Sequence, residues 1–117
     1  GDFSFESGFQ AGEKIFSSAD QPTAIFASND SMAAGIMKSA QMKKILIPDE
    51  LSIVGFDDSP TAEQVWPSLS TVKQPVNEMA LHAAKLLIGE FDGLTEKTVS
   101  KEFKSEIIIR ESLKKLN

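Results

Sequence analysis

The chain contains no cysteine, which excludes a disulfide framework and a thiolate metal site. It has one histidine, His82, beside the apolar face of a candidate helix, where a boundary residue is a simpler reading than a base or a ligand. No apolar run is long enough to span a membrane. Lysine and arginine are scattered, apart from Lys43-Lys44 and Lys114-Lys115. With a net charge of -5 and a pI near 4.8, an acidic chain without a basic stripe is a poor surface for direct nucleic-acid contact. Neither a Gly-x-Gly-x-x-Gly turn nor a P-loop occurs, so two phosphate cradles are absent. There is no internal repeat, low-complexity tract or signal peptide. The chain opens on Gly1-Asp2 without methionine, so the natural start is expected to lie upstream.

What is present suits one α/β domain or a piece of one. The 117 residues are 41% apolar, a globular composition with a modest core. Phe5, Phe9, Gly12, Ile15 and Phe16 recur at helical spacing after Ser4, a good N-cap, so a helix is expected over Ser4–Ser17. Thr23–Ser28 is apolar on both faces, as a central parallel strand should be. Met32, Ala33, Ile36, Met37 and Ala40 mark a second helix. Pro48 makes Ile47–Glu50 a connector. Ser52–Phe56 is the next strand, Asp58–Pro67 a long loop, and Leu69–Lys73 a further strand. Val76, Met79, Ala80, Ala83, Leu86 and Leu87 mark a third helix ending near Gly89. A polar segment follows from Phe91 to Ser100. Phe103–Arg110 is a last strand, strongly β-prone at Ile107-Ile108-Ile109, and Leu113–Asn117 a frayed tail. Strands alternating with helices indicate a parallel sheet. The chain begins on a helix without the strand that should feed it. It therefore reads as a fragment of a larger α/β protein, with a compact small domain as the alternative.

The chemistry collects at one sheet edge. Ile53-Val54-Gly55-Phe56 ends in Asp57-Asp58, and Ala24-Ile25-Phe26-Ala27 leads to Asn29-Asp30. Phe3 precedes the first helix, and Gln74 follows a strand. Ligands of open α/β sheets bind beyond the carboxyl ends of the strands. An aromatic, an amide and a carboxylate there suit a neutral polyhydroxylated ligand. Phe3 would stack on the C–H face of a sugar ring, while Asn29 and Asp57 would pair with its hydroxyls. Each residue also has a plain reading: Asn29-Asp30 as a helix cap, Asp57-Asp58 as turn formers, Phe3 as a staple. Enzyme readings find less. Asp57-Asp58-Ser59 lacks the alternating Asp-x-Asp of aspartyl phosphatases, the acid pair and lysine of a receiver domain are missing, and Ser7 and Ser31 have no histidine partner.

The ordered motifs resemble the LacI/GalR family of bacterial transcription regulators. They are Pro22-Thr23-Ala24-Ile25-Phe26-Ala27-Ser28-Asn29-Asp30-Ser31-Met32-Ala33-Ala34-Gly35, then Ile47 to Asp58, then Pro67 to Pro75, then Ile107 to Ser112, with Gly1 to Gly8 also fitting. The resemblance covers nearly the whole chain. It implies an α/β, parallel-sheet, three-layer lobe like a type I periplasmic binding protein, part of a two-lobed core. Residues 1–74 and 103–112 would form the C-terminal lobe, and 75–92 a helix that packs on the N-terminal lobe. It implies that Phe3 stacks on an effector, that Asn29 and Asp57 hydrogen-bond to it, and that Val76 lines the cleft. It further implies a homodimer through Met32, Ala33, Ile36, Met37, Val65 and Trp66, although Met32, Ile36 and Met37 also read as sheet-facing core. Operator DNA would be bound through a helix-turn-helix outside this chain. The implied protein is a cytoplasmic regulator, not an enzyme, with no cofactor, no metal and no membrane partner. A periplasmic sugar-binding protein shares the fold and is the alternative. Ser68, Ser70 and Ala80 depart mildly from the family pattern, and the cleft arginine of an earlier strand is not in this chain.

Overall fold

The computed structural model describes residues 1–89 and 100–115. The polar segment expected from Phe91 lies outside these residues apart from Ser100, as do the last two residues of the tail. The described chain forms two compact units, Gly1–Lys73 with Ile107–Asn117, and Gln74–Glu106.

In the first unit the order is α1 (Phe5–Ile15), β1 (Ala24–Phe26), α2 (Asp30–Met42), β2 (Ser52–Phe56), α3 (Thr61–Gln64) and β3 (Ser70–Lys73). The second unit contains α4 (Val76–Leu87), and β4 (Glu106–Ile108) begins at its end. The strands form a four-stranded sheet in the order β1-β2-β3-β4. β1 runs parallel to β2, with Ile25 opposite Ile53, and β2 runs parallel to β3, with Gly55 opposite Thr71. The fold is therefore mixed α/β on a mainly parallel sheet.

Local chemistry sets the boundaries. Ser4 caps α1, its Oγ accepting the Ser7 amide at 3.1 Å. Asn29 caps α2 in the same way through the Met32 amide at 2.8 Å. Each side chain satisfies an amide that has no helical partner. β2 has the expected bounds, and its Ile53 and Gly55 are buried. Three elements differ. β1 is an edge strand rather than a central one: Ala24 and Phe26 are exposed, Phe26 at 66%. Its apolar run alone does not distinguish a buried from an edge position, because burial depends on which strands flank it. The expected loop after Asp58 contains the one-turn α3, whose Ala62 is fully buried and accepts the Leu69 amide at 2.8 Å.

The last strand is also shorter than expected. Beyond Ile108 the backbone bonds to side chains and loops: the Arg110 amide donates to Ser70 Oγ at 2.8 Å, and the Glu111 and Ser112 amides both donate to Ser68 O. Ser112 closes this end. Fully buried, its hydroxyl donates to Ile53 O at 2.6 Å and accepts the Ser70 amide at 2.8 Å. Ser112→Ala leaves both backbone groups unpaired and should lower unfolding free energy by about 2 kcal/mol in urea titration; an unchanged midpoint would show that water replaces the hydroxyl.

The core gathers Phe16, Ile36, Met37, Leu51, Ile53 and Leu69 with several small alanines. α2 lies between α1 and the sheet and contacts both. In the second unit no residue of α4 is buried. His82 there is half-buried and meets the Phe103 ring edge to face, with centroids 5.7 Å apart.

Candidate functional site

β1 and β2 are parallel neighbours, so the residues after both emerge at one edge of the sheet. Asp57 follows β2 directly. Asn29 comes three residues after β1, because the strand ends at Phe26 rather than Ser28. Phe3 reaches the same edge from the start of α1: Asn29 Nδ2 donates to Phe3 O at 2.9 Å. The Phe3 side chain is 64% exposed. The helix-cap reading of Asn29 is the one the structure shows. Its oxygen caps α2 and its amide holds Phe3, which leaves one lone pair and one N–H for a further partner.

Backbone conformation sets this edge apart. The described non-glycine residues with positive φ are Phe3 (65°), Lys44 (59°), Asp57 (106°) and Asp58 (53°). Three of the four lie on the rim. Such conformations are costly for L residues and persist only where surrounding structure holds them, commonly at ligand sites.

A buried polar network supplies the hold. Asp30, 1% exposed, accepts Thr71 Oγ1–H at 2.6 Å and the Ser59 amide at 2.7 Å. It sits over Gly55, where any Cβ would lie 2.3 Å from Asp30 Oδ1. Gly55 is thus the opening through which the carboxylate reaches the sheet. The Asp57 amide donates to Val72 O at 2.9 Å. Asp58 pairs with Arg110 Nη2 at 2.7 Å, with both side chains largely buried, and with the more exposed Lys73 Nζ at 3.8 Å. At the start of α1, hydrogen bonds from Ser4 and Ser7 hold the Asp2 carboxyl down at about 2, so it keeps its charge in acid that would protonate an ordinary aspartate.

The sequence pattern identified Phe3, Asn29 and Asp57, and the fold brings them to one rim. It did not identify Asp30, Thr71 or Arg110 as a supporting set. A glycine inside a β-prone strand was the one available sign of close approach. Val76 opens α4 in the second unit and is exposed.

The expected dimer surface separates into two groups. Ala33, Ile36 and Met37 belong to the core, each at most 4% exposed, and are corrected to structural residues: the chain's own core, which includes Leu51, Ile53 and Leu69, takes up this stripe. Met32 and Val65 are half-buried against that core. Trp66 is 74% exposed. It borders a surface cavity of about 280 Å³ with Gln41, Leu46, Ile47 and Pro67, and its carbonyl accepts Gln41 Nε2 at 2.7 Å. Among the described residues no helix is long and apolar enough to cross a membrane.

Residues 2–113 match the family model of the periplasmic binding protein-like domain. The chain is 40% identical over 119 residues to a probable HTH-type transcriptional repressor, ExuR, of Bacillus subtilis. That match takes in 99% of this chain and 35% of the relative, so the chain spans about a third of the length of its curated relatives. A sugar-binding transcriptional regulator of the LacI family from Escherichia coli, solved with phosphate, superposes with a TM-score of 0.85 at 35% identity, over 97% of this chain and 40% of that one. A LacI family regulator from Lactobacillus casei, solved with glucose, gives 0.75 at 27% identity, over 93% and 39%. The chain belongs to the periplasmic binding protein-like domain family, in the form carried by LacI family transcription regulators.

Proposed function

We propose that this chain is the effector-binding and dimerisation portion of a sugar-responsive transcriptional regulator. The observation that carries the reading is the rim itself, where Asp57, at φ 106°, shares a sheet edge with an exposed Phe3 tied to Asn29. A carboxylate and an amide pair with adjacent hydroxyls of a sugar, and an exposed ring stacks on its apolar face. The exposed face of α4 would pack on the part of the protein that this chain does not span. Ligand would favour one arrangement of the two lobes and so change the spacing of DNA-binding heads, a population shift. The heads would come from a helix-turn-helix outside this chain. A homodimer through the Trp66 face, with Met32 and Val65 at its margin, would pair them, in the cytoplasm. The repressor names of the relatives favour this reading over a periplasmic transport protein, and over an enzyme that uses Asp57.

The test is calorimetric titration of the full-length protein with a panel of sugars that includes glucose, sucrose and cellobiose. Phe3→Ala and Asp57→Ala should each weaken the sugar that binds, Asp57→Ala by about tenfold to a hundredfold, the worth of a charge-assisted hydrogen bond. Undiminished binding in both variants discards the site.

A further inference from the structure

We propose that Arg110 is the positioning residue for Asp57, acting through Asp58 to hold the left-handed corner that aims the ligand-facing carboxylate. This rests on the reading of Asp57 as a ligand contact.

Two consecutive residues at positive φ do not hold themselves. The corner is tied on both sides. On its near side the Asp57 amide donates to Val72 O at 2.9 Å and extends the β2–β3 ladder by one residue. On its far side the Ser59 amide is held by buried Asp30 at 2.7 Å. Between the two lies Asp58. Its amide reaches Thr71 Oγ1 at a long 3.3 Å, and its carboxylate is gripped by Arg110 at 2.7 Å.

Arg110 is itself anchored before it reaches Asp58. Its backbone amide donates to Ser70 Oγ and its Nη1 to Leu69 O at 2.9 Å. The guanidinium fork thus spans from the backbone before β3 to the corner after β2, and its side chain is only 15% exposed. A lysine ammonium is a point charge that cannot hold both acceptors in this fixed geometry. Lys73 also approaches Asp58, but at 3.8 Å with its side chain 56% exposed; it contributes charge rather than direction. Arg110 and Asp58 are 52 residues apart, so the terminal segment acts on the rim only in the folded state.

The test compares Arg110→Lys, Arg110→Gln and Asp58→Asn in the full-length protein, with two readouts. Residue-level hydrogen exchange should show the Asp57 amide exchanging at least about tenfold faster in all three, while the amides of α2 keep their protection. Exchange that rises everywhere, or not at Asp57, overturns the proposal. Glucose is the probe in the second readout. Its affinity should fall about tenfold in Arg110→Lys. Adding the same change to Asp57→Ala should cost nothing further, because Arg110 acts only through that carboxylate. Additive losses overturn positioning. If Asp57→Ala leaves glucose binding intact, the ligand-contact reading fails, and exchange at Asp57 still decides what Arg110 does. If Arg110→Gln does not fold, Arg110→Lys and Asp58→Asn carry both readouts.

Discussion

Replacing Gly35 with alanine is expected to destabilise the protein by about 3 kcal/mol or more, the upper range for overpacking. Gly35 lies at the centre of α2 and is buried against α1. A Cβ there would stand 2.1 Å from Phe5 O and 2.5 Å from Phe9 N. Both are backbone atoms of α1, so no side-chain rotation relieves the contact. The two helix axes would have to separate, which opens the extensive α1–α2 contact. In most helices glycine to alanine is a gain of up to about 1 kcal/mol from propensity, so the sign of the effect isolates tertiary packing. Urea denaturation of the full-length protein, followed by far-UV circular dichroism, measures it. Lys38→Ala, on the exposed side of the same helix, should stay within about 0.5 kcal/mol. A neutral or stabilising Gly35→Ala would show that α1 does not pack here.

The second large effect is expected at Asp30. Asp30→Ala strands a buried threonine hydroxyl and a partly buried amide, and should cost about 4 kcal/mol, the sum of two hydrogen bonds to a carboxylate acceptor. Asp30→Asn keeps one oxygen acceptor and should cost about half as much. Thr71→Val removes one of the same bonds, so the double variant Asp30→Ala, Thr71→Val should be less destabilised than the sum of the single changes by at least about 1 kcal/mol. Strict additivity in that cycle would show that the 2.6 Å Thr71–Asp30 bond contributes nothing beyond its separate groups.

Much of the fold was legible because its signals are local. Ser4 and Asn29 stand where a side-chain oxygen finishes a helix, and the structure uses both as caps. Ser52–Phe56 ends directly at the acids Asp57-Asp58 and keeps its expected bounds. The misread elements are those whose state depends on neighbours. The apolar pattern of β1 was that of a central strand, but no strand covers its outer side among the described residues. Ala33, Ile36 and Met37 form an apolar stripe that suits a partner helix or the chain's own core equally well. Packing with Leu51, Ile53 and Leu69 in the folded chain made it core. Trp66 was singled out as a large aromatic in a polar loop, and its exposure now rests on geometry rather than composition.

The same division runs through the candidate site. Strand-end position and residue type were enough to single out Phe3, Asn29 and Asp57, because a parallel strand delivers its next residues to a known edge of the sheet. Those properties are carried by short stretches of chain, and the sequence by itself determined them. It also determined the α/β class and the family, through motifs in fixed order. What only the tertiary structure decided is how the rim is held. Asp30 bonds to Thr71 across 41 residues, and Arg110 to Asp58 across 52. No local pattern encodes such pairs, since each partner taken alone is an ordinary polar residue. Burial is what gives them their effect: a carboxylate removed from water must find its donors in the fold, and the donors found here tie the segment after β2 to α2, β3 and the C-terminal segment.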